Sequence, residues 1–257
     1  VLGEYGKTLS GEAAALCEAA RYALYDLEPL LTASDAPRAR LRRARLYVLV
    51  TTDLCTGKDP LAACREAVDG GADMIQLREK NLEDGEFLAL AAKMQEICAD
   101  RALFLVDDRA HVARLLGTSG VHVGQGDLPV GLARRLVGPE ALIGLSTHAP
   151  EQALAGVVAG ADCFGVGPVY PTNTKQHRAS VGLEYVRWAV ANCPVPYHAI
   201  GGVNRETAEA VLDTGCFGIA ICTGVISAPD VAAAAAWFRE KIDQRPAAPF
   251  AGSRPSA

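Results

Sequence analysis

From Leu46 onward the chain alternates short apolar runs with longer stretches whose apolar positions recur every three to four residues. The short runs fit strands buried on both faces, and the longer stretches fit amphipathic helices. The strands fall at Leu46–Val50, Met74–Leu77, Leu103–Val106, Gly120–Val123, Leu142–Leu145, Cys163–Val166, Tyr197–Ile200 and Gly218–Ile221. Helices fill the intervals at Pro60–Val68, Asp84–Asp100, Ala110–Leu116, Val130–Val137, Pro150–Val158, Leu183–Ala191, Arg205–Asp213 and Asp230–Ile242. Asp59 and Asn204 stand where N-caps are needed, and Pro60 and Pro150 sit near first helical positions. A glycine recurs between helix and next strand at Gly71, Gly117, Gly160 and Gly215, where a left-handed cap closes a helix. Eight β/α units in about 200 residues predict an α/β fold, a (β/α)8 TIM barrel. The rival open doubly wound sheet announces itself with G-x-G-x-x-G after its first strand, and none stands there.

Before the barrel, Leu9 to Leu31 is Ala- and Leu-rich, and Ser10 is a candidate cap for a helix over Gly11–Tyr25. Ser34 to Pro37 breaks that helix, and a basic run from Arg38 to Arg45 leads into the first strand. The expected organisation is a short helical N-terminal extension at 1–44, the catalytic barrel at 45–243 and a disordered Pro/Ala/Ser-rich tail at 244–257. The barrel is expected to close without the extension, which could cover an apolar patch on it.

Composition narrows the setting. A formal charge of -5 over 257 residues speaks against general nucleic-acid binding. The eight cysteines, Cys17, Cys55, Cys64, Cys98, Cys163, Cys193, Cys216 and Cys222, form no C-x-x-C pair and have no zinc-like His spacing. They read as reduced, buried small hydrophobes of a cytoplasmic protein. The sequence contains no 18-residue apolar run, so no membrane span is expected. Self-association into a homo-oligomer is compatible with all of this.

Polar and glycine clusters gather at the C-terminal ends of the strands, where barrels of this kind keep their chemistry. Strand 2 presents Gln76, Arg78 and Lys80, and strand 3 ends in Asp107-Asp108-Arg109. Strand 4 runs into Gly124-Gln125-Gly126-Asp127, and strand 5 ends in Ser146-Thr147-His148. Strand 6 continues to Thr172-Asn173-Thr174-Lys175, strand 7 to Gly201-Gly202 and strand 8 to Cys222-Thr223-Gly224. Asp108 and Asp127 are hard carboxylates at adjacent strand ends and suit Mg²⁺, which takes one or two carboxylates plus phosphate oxygens. Arg78, Lys80 and Lys175 are matching cations for a polyphosphate. Gly201-Gly202 with Thr223-Gly224 suits a second, monophosphate site built from backbone N–H groups. His122 and His198, inside strands, read as packed histidines, whereas His148 just past a strand end is a candidate acid or base. No Ser-His-Asp or Cys-His arrangement is legible.

These residues together resemble the thiamine-phosphate synthase family. The resemblance rests on Gln76-Leu77-Arg78-Glu79-Lys80, Asp108-Arg109, Val121 to Gln125 with Asp127, Ser146-Thr147-His148, Gly167 to Lys175, Gly182-Leu183-Glu184 and Ala199 to Gly202. It implies a cytosolic enzyme joining hydroxymethylpyrimidine diphosphate to hydroxyethylthiazole phosphate with release of pyrophosphate. By that resemblance Gln76, Leu77, Arg78, Glu79, Lys80, Ser146 and Lys175 hold the pyrimidine diphosphate, with Arg78, Lys80, Ser146 and Lys175 the catalytic set. Asp108 and Asp127 bind Mg²⁺, and Thr172, Asn173, Thr174, Gly202, Cys222 and Thr223 hold the thiazole phosphate. Two positions depart from the family. Asp107 stands where the family usually carries Asn on the diphosphate, and Cys222-Thr223-Gly224-Val225 replaces a commoner Val-Ser-Ala-Ile. Asp107 could join the metal shell, pair with a cation or be protonated, and the metal shell is the expectation. A thiazole tautomerase on the same barrel, or a non-catalytic phosphate-ligand sensor, are the competing readings. The tautomerase would need an acid or base such as His148 and not the diphosphate and metal set, and product formation from the two substrates separates the sensor from both enzymes.

Overall fold

A computed structural model of the chain describes residues 35–172 and 179–248. Eight parallel strands close into a barrel in sequence order. They are β1 (Leu46–Val50), β2 (Met74–Leu77), β3 (Leu103–Asp107), β4 (Gly120–Val123), β5 (Leu142–Thr147), β6 (Cys163–Val166), β7 (Tyr197–Ile200) and β8 (Gly218–Ile221). Around them run α1 (Asp35–Leu41), α2 (Pro60–Asp69), α3 (Asp84–Cys98), α4 (Ala110–Leu116), α5 (Val130–Val137), α6 (Pro150–Ala159), α7 (Gly182–Asn192), α8 (Ala208–Leu212), α9 (Thr223–Ile226) and α10 (Val231–Asp243). The expected rhythm therefore holds.

The differences have local causes. β3 and β5 run on to Asp107 and Thr147, because these residues still sit beside neighbouring strands, Asp107 against His122 and Thr147 against Val166. Asp59 caps α2 as expected by accepting from Leu61 N. Asn204 instead accepts from the backbone of Glu206 and Thr207, forming a turn of its own, and α8 starts only at Ala208. All four joint glycines, Gly71, Gly117, Gly160 and Gly215, have positive φ.

The repeated Gly-Ala-Asp joint has a second task. Asp73 accepts from the N–H groups of Arg45 and Leu46 at the start of β1, and Asp162 accepts from Ile143 in β5. Each carboxylate satisfies backbone donors at the bottom of a neighbouring strand. Arg239 pairs with Asp73 at 2.9 Å, and Arg38 and Arg134 pair with Asp162.

Two apolar clusters result. The larger lies between the strands and the helices, and holds Val48, Ile75, Leu77 and Phe104. The smaller fills the lower lumen with Tyr47, Leu49, Met74, Leu103, Leu105, Leu142, Cys163 and Ala220. Leu41 and Ala44 join the lumen cluster, so α1 and the turn after it close the N-terminal face of the barrel. His198 belongs to this bottom layer. It is fully buried, its Nε2 lies 2.7 Å from the carbonyl of Ala44, and burial lowers its pKa to about 4. It packs there as a neutral ring, edge-on to Tyr47 at 5.3 Å.

A prediction follows for the plug. Leu41→Ala should lower stability by about 2–4 kcal/mol, the usual range for truncating a buried leucine. Chemical denaturation measures it, and a loss below about 0.5 kcal/mol would mean that α1 contributes no core.

The seven cysteines among the described residues are free thiols, six buried and Cys222 partly so. Burial raises Cys222 to about 11 and Cys193 to about 12. No described helix is long and apolar enough to cross a membrane.

Candidate active site at the C-terminal face

The apolar filling of the lumen stops halfway up, and polar groups take over above it. Side chains alternate along a strand, so the residues two steps after Tyr47, Met74 and Leu105 point inward again. They are Leu49, Gln76 and Asp107. A mouth opens here, and its walls include Tyr47, Gln76, Arg78, Asp107, His122, Ser146, His148, Thr172, Gly201, Gly202, Cys222 and Thr223.

Its floor is a polar network. Gln76 Nε2 donates to the hydroxyl of Tyr47 at 2.6 Å. His122, tilted against Tyr47 at 6.2 Å, has its Nε2 3.1 Å from Ser146 Oγ. Gln125 Nε2 donates to the carbonyl of Ser146 at 2.7 Å. Space for the His122 imidazole comes from glycines on the next two strands, β5 and β6. A Cβ at Gly144 would overlap the ring, and one at Gly165 would touch it at 3.5 Å. Burial and the nearby Cys163 raise the Tyr47 phenol well above its usual range, although Gln76 opposes this, so Tyr47 is a neutral hydrogen-bonding group.

This yields a test. Gly144→Ala should displace His122 and with it Ser146, and cut kcat/KM about 10–100-fold while the barrel stays closed. Wild-type kinetics in a folded Gly144→Ala protein would show that the His122–Ser146 contact does not matter.

On one side of the rim five charged residues converge. Lys80 Nζ lies 2.6 Å from Asp107 Oδ2 and also pairs with Asp108. Arg78 Nε is 3.9 Å from the same Asp107 oxygen. Asp127 folds back to accept from Gly124 N at 2.7 Å. Asp107 and Asp108 would face opposite ways on a regular strand, but Asp108 has φ 58°. That left-handed turn brings the Asp108 carboxylate onto Lys80 beside the inward-facing Asp107. Asp108 is raised to about 6, first by burial and then by the charge of Asp107, with a further push from its hydrogen bond with Asp127. Lys80 opposes the rise. Burial works against the Lys80 ammonium, but Asp107 and Asp108 together raise its pKa.

Of the three ways open to Asp107, the geometry shows pairing with cations: its buried carboxylate lies 2.6 Å from Lys80 and 3.9 Å from Arg78. Two other expected contacts do not reach the mouth. Leu77 packs outward into the helix-side core. Glu79 is buried and accepts from the backbone N–H of Thr52, tying the β2 and β1 ends together. Thr51 Oγ1 assists by donating to the Arg78 carbonyl at 2.9 Å. Asn173, Thr174 and Lys175 lie outside the described residues, and Thr172, beside them, lines the mouth.

Across the mouth, Gly201 and Gly202 have φ of 92° and 67°. A Cβ on either would collide with Pro168 or Tyr170, so the strand 7 turn packs against the strand 6 loop. Cys222 and Thr223, at the start of α9, follow the neighbouring strand β8 and line the same wall as this turn. His148 donates its backbone N–H to Gln152 at 2.8 Å, and its Nδ1 bonds the carbonyl of Gly167.

Sequence reasoning missed two members of the site. Tyr47 lies in a run that is apolar throughout, and His122 read as a packed histidine. The inward phase of β1 and β4 was the signal that could have found them.

Among the described residues, no three His, Cys, Asp or Glu side chains are grouped so as to hold a metal by themselves. The donor set nevertheless fits a hard cation. Asp108 and Asp127 are close enough to hydrogen-bond, and Asp107 adds a third carboxylate beside Asp108.

A family profile described as "Thiamine monophosphate synthase" matches residues 46–225. A thiamine-phosphate synthase of Gloeobacter violaceus is 41% identical over 245 residues, 95% of this chain and 70% of that protein. One from Moorella thermoacetica is 41% identical over 199 residues, 77% of this chain and 95% of its own length. The chain spans 65% of the length of the Synechocystis relative. Among solved structures, a thiamine phosphate pyrophosphorylase from Pyrococcus furiosus superposes with TM-score 0.73 at 35% identity, covering 79% of this chain and 98% of that one.

Proposed function

Because this chain belongs to the thiamine monophosphate synthase family, we propose that its barrel joins hydroxymethylpyrimidine diphosphate to hydroxyethylthiazole phosphate, giving thiamine phosphate and pyrophosphate. The observation that carries this reading is the convergence of Arg78, Lys80, Asp107, Asp108 and Asp127 at one edge of a mouth whose floor is neutral and polar. A charged diphosphate belongs at the edge, and a heterocycle with ring nitrogens belongs on the floor.

Tyr47, Gln76 and the His122–Ser146 pair offer donors and acceptors to the pyrimidine. Arg78 and Lys80 meet the diphosphate, and Lys175 would add a third cation from the strand 6 loop. Mg²⁺ held by Asp108 and Asp127, and completed by diphosphate oxygens, would neutralise charge on the leaving group. With Arg78 and Lys80 taking up charge on the departing pyrophosphate, the bond from the exocyclic carbon of the pyrimidine to the diphosphate oxygen breaks, and the thiazole nitrogen captures the resulting carbocation. Gly202, Cys222 and Thr223 border the opposite wall, where the thiazole phosphate would sit beside Thr172. No protein nucleophile is required. Asp107, paired with both cations, holds Arg78 and Lys80 at the rim before substrate arrives.

A thiazole tautomerase would have no use for this ionic edge, and neither would a non-catalytic sensor for a metal pair beside it. The deciding experiment incubates the purified protein with both substrates and Mg²⁺ and measures thiamine phosphate. Product is expected with Mg²⁺ and is expected to fall at least 100-fold in EDTA. Absence of product at saturating substrates would overturn the synthase reading. Undiminished turnover in EDTA would overturn the metal.

A further inference from the structure

Five large apolar side chains stand exposed among the described residues, Leu115, Leu132, Leu136, Leu154 and Val158, with relative exposures from 42% to 90%. All five lie on α4, α5 and α6, three helices packed side by side. Leu115, Leu136 and Val158 fall in the last turn of each helix, so the patch borders the N-terminal face of the barrel. A cluster of this kind marks a surface that another element covers.

We propose that residues 1–34 of this chain cover it. The described chain begins beside the patch. Arg38 donates to the carbonyl of Pro139 at 2.8 Å and pairs with Asp162 at 2.9 Å, and these residues lie in the connections that follow α5 and α6. The segment before Asp35 is therefore tethered at the edge of the apolar face, which raises its effective concentration there.

The sequence of the segment fits the task. Ala13, Leu16, Cys17, Ala20, Leu24 and Leu27 recur at helical spacing and form one apolar stripe. Glu18, Arg21, Tyr22 and Asp26 fall on the other side. A helix over 11–25 would be about 22 Å long, enough to cross three helices packed at 8–10 Å. Residues 26–34 leave ample chain to reach Asp35. Charge agrees as well. The segment carries five carboxylates and two cations, and Arg114 and Arg135 are exposed beside the patch. The alignment with the Gloeobacter relative covers 95% of this chain and so takes in most of residues 1–34. The Moorella alignment covers 95% of its own protein yet only 77% of this chain, so that relative is little longer than a barrel.

The test uses the full chain. Amide hydrogen exchange of 11–25 is compared between wild type and the triple variant Leu132→Glu, Leu136→Glu, Leu154→Glu. The expected result is at least tenfold faster exchange of 11–25 in the variant, with the strands still protected. Equal rates in the two proteins would overturn the proposal. Conversion of a dimer to a monomer by light scattering, with exchange of 11–25 unchanged, would also overturn it and assign the patch to a second copy. Should the triple variant fail to fold, Leu16→Glu with Leu24→Glu alters only the segment. That variant should raise binding of an apolar fluorescent dye several-fold, and unchanged dye binding would overturn the proposal.

Discussion

Asp108→Asn should melt higher than wild type and turn over far more slowly. In the free protein the carboxyl of Asp108 is raised to about 6 by burial and by Asp107. A raised acid binds its proton more tightly in the folded state than in the unfolded chain. Stability therefore falls as pH climbs from about 4 to about 6, and the cost is fully present above that window. A shift of this size corresponds to roughly 1–3 kcal/mol. Asn removes the charge and also tolerates the left-handed backbone at φ 58°, which Ala would not. In EDTA at pH 7–8 the variant should gain about 1–3 kcal/mol, or about 2–8 °C in Tm for a chain of this size. Near pH 3 the two proteins should melt together. Activity should drop at least about 100-fold, because an amide is a poor ligand for Mg²⁺ and cannot balance its charge. A variant that is both more stable and fully active would remove Asp108 from the metal site. A variant less stable at pH 8 than wild type would contradict the electrostatic account of the rim.

Lys80→Met is expected to be the most damaging single change to activity, by about 10²–10³-fold. Lys80 bridges Asp107 and Asp108, and without it two carboxylates face a diphosphate with Arg78 the remaining cation paired there among the described residues. The loss has two parts: a missing donor to the leaving group, and repulsion from Asp107. The double variant Lys80→Met/Asp107→Asn separates them by restoring the local charge. It should recover at least about tenfold of the lost kcat/KM, and Asp107→Asn alone should stay within about tenfold of wild type. Steady-state kinetics of the four proteins complete the cycle. If the double variant is no better than Lys80→Met, Asp107 is not coupled to Lys80 in catalysis. A collapse of activity in Asp107→Asn would instead give that carboxylate a role of its own.

The two experiments probe what the strand pattern could not settle. Apolar runs of four to six residues and Gly-bounded joints place all eight strands, since strand formation here depends on local burial and short-range turn chemistry. The same pattern places Arg78, Lys80, Asp108, Asp127, Ser146 and Thr223 at one rim, because every parallel strand ends at the same face. The phase of each strand was harder to read. Strands covered on both sides are apolar in both phases, so nothing local marks Tyr47 as inward until the barrel closes, whereas Gln76, Arg78 and Lys80 already set one face of β2 apart from Ile75 and Leu77.

The sequence by itself determined the barrel, its family resemblance and the rim that carries the chemistry. Only the tertiary structure decided how the rim charges pair. One left-handed residue, Asp108, brings its carboxylate beside the inward-facing Asp107 and onto Lys80 from the loop after β2. The same holds for the placement of His122 over Gly144, for Glu79 tied to Thr52, and for α1 closing the lumen with Leu41. Each of these contacts joins residues far apart in sequence. Their energies depend on where barrel closure brings the elements together, and periodicity along the chain carries no information about that distance.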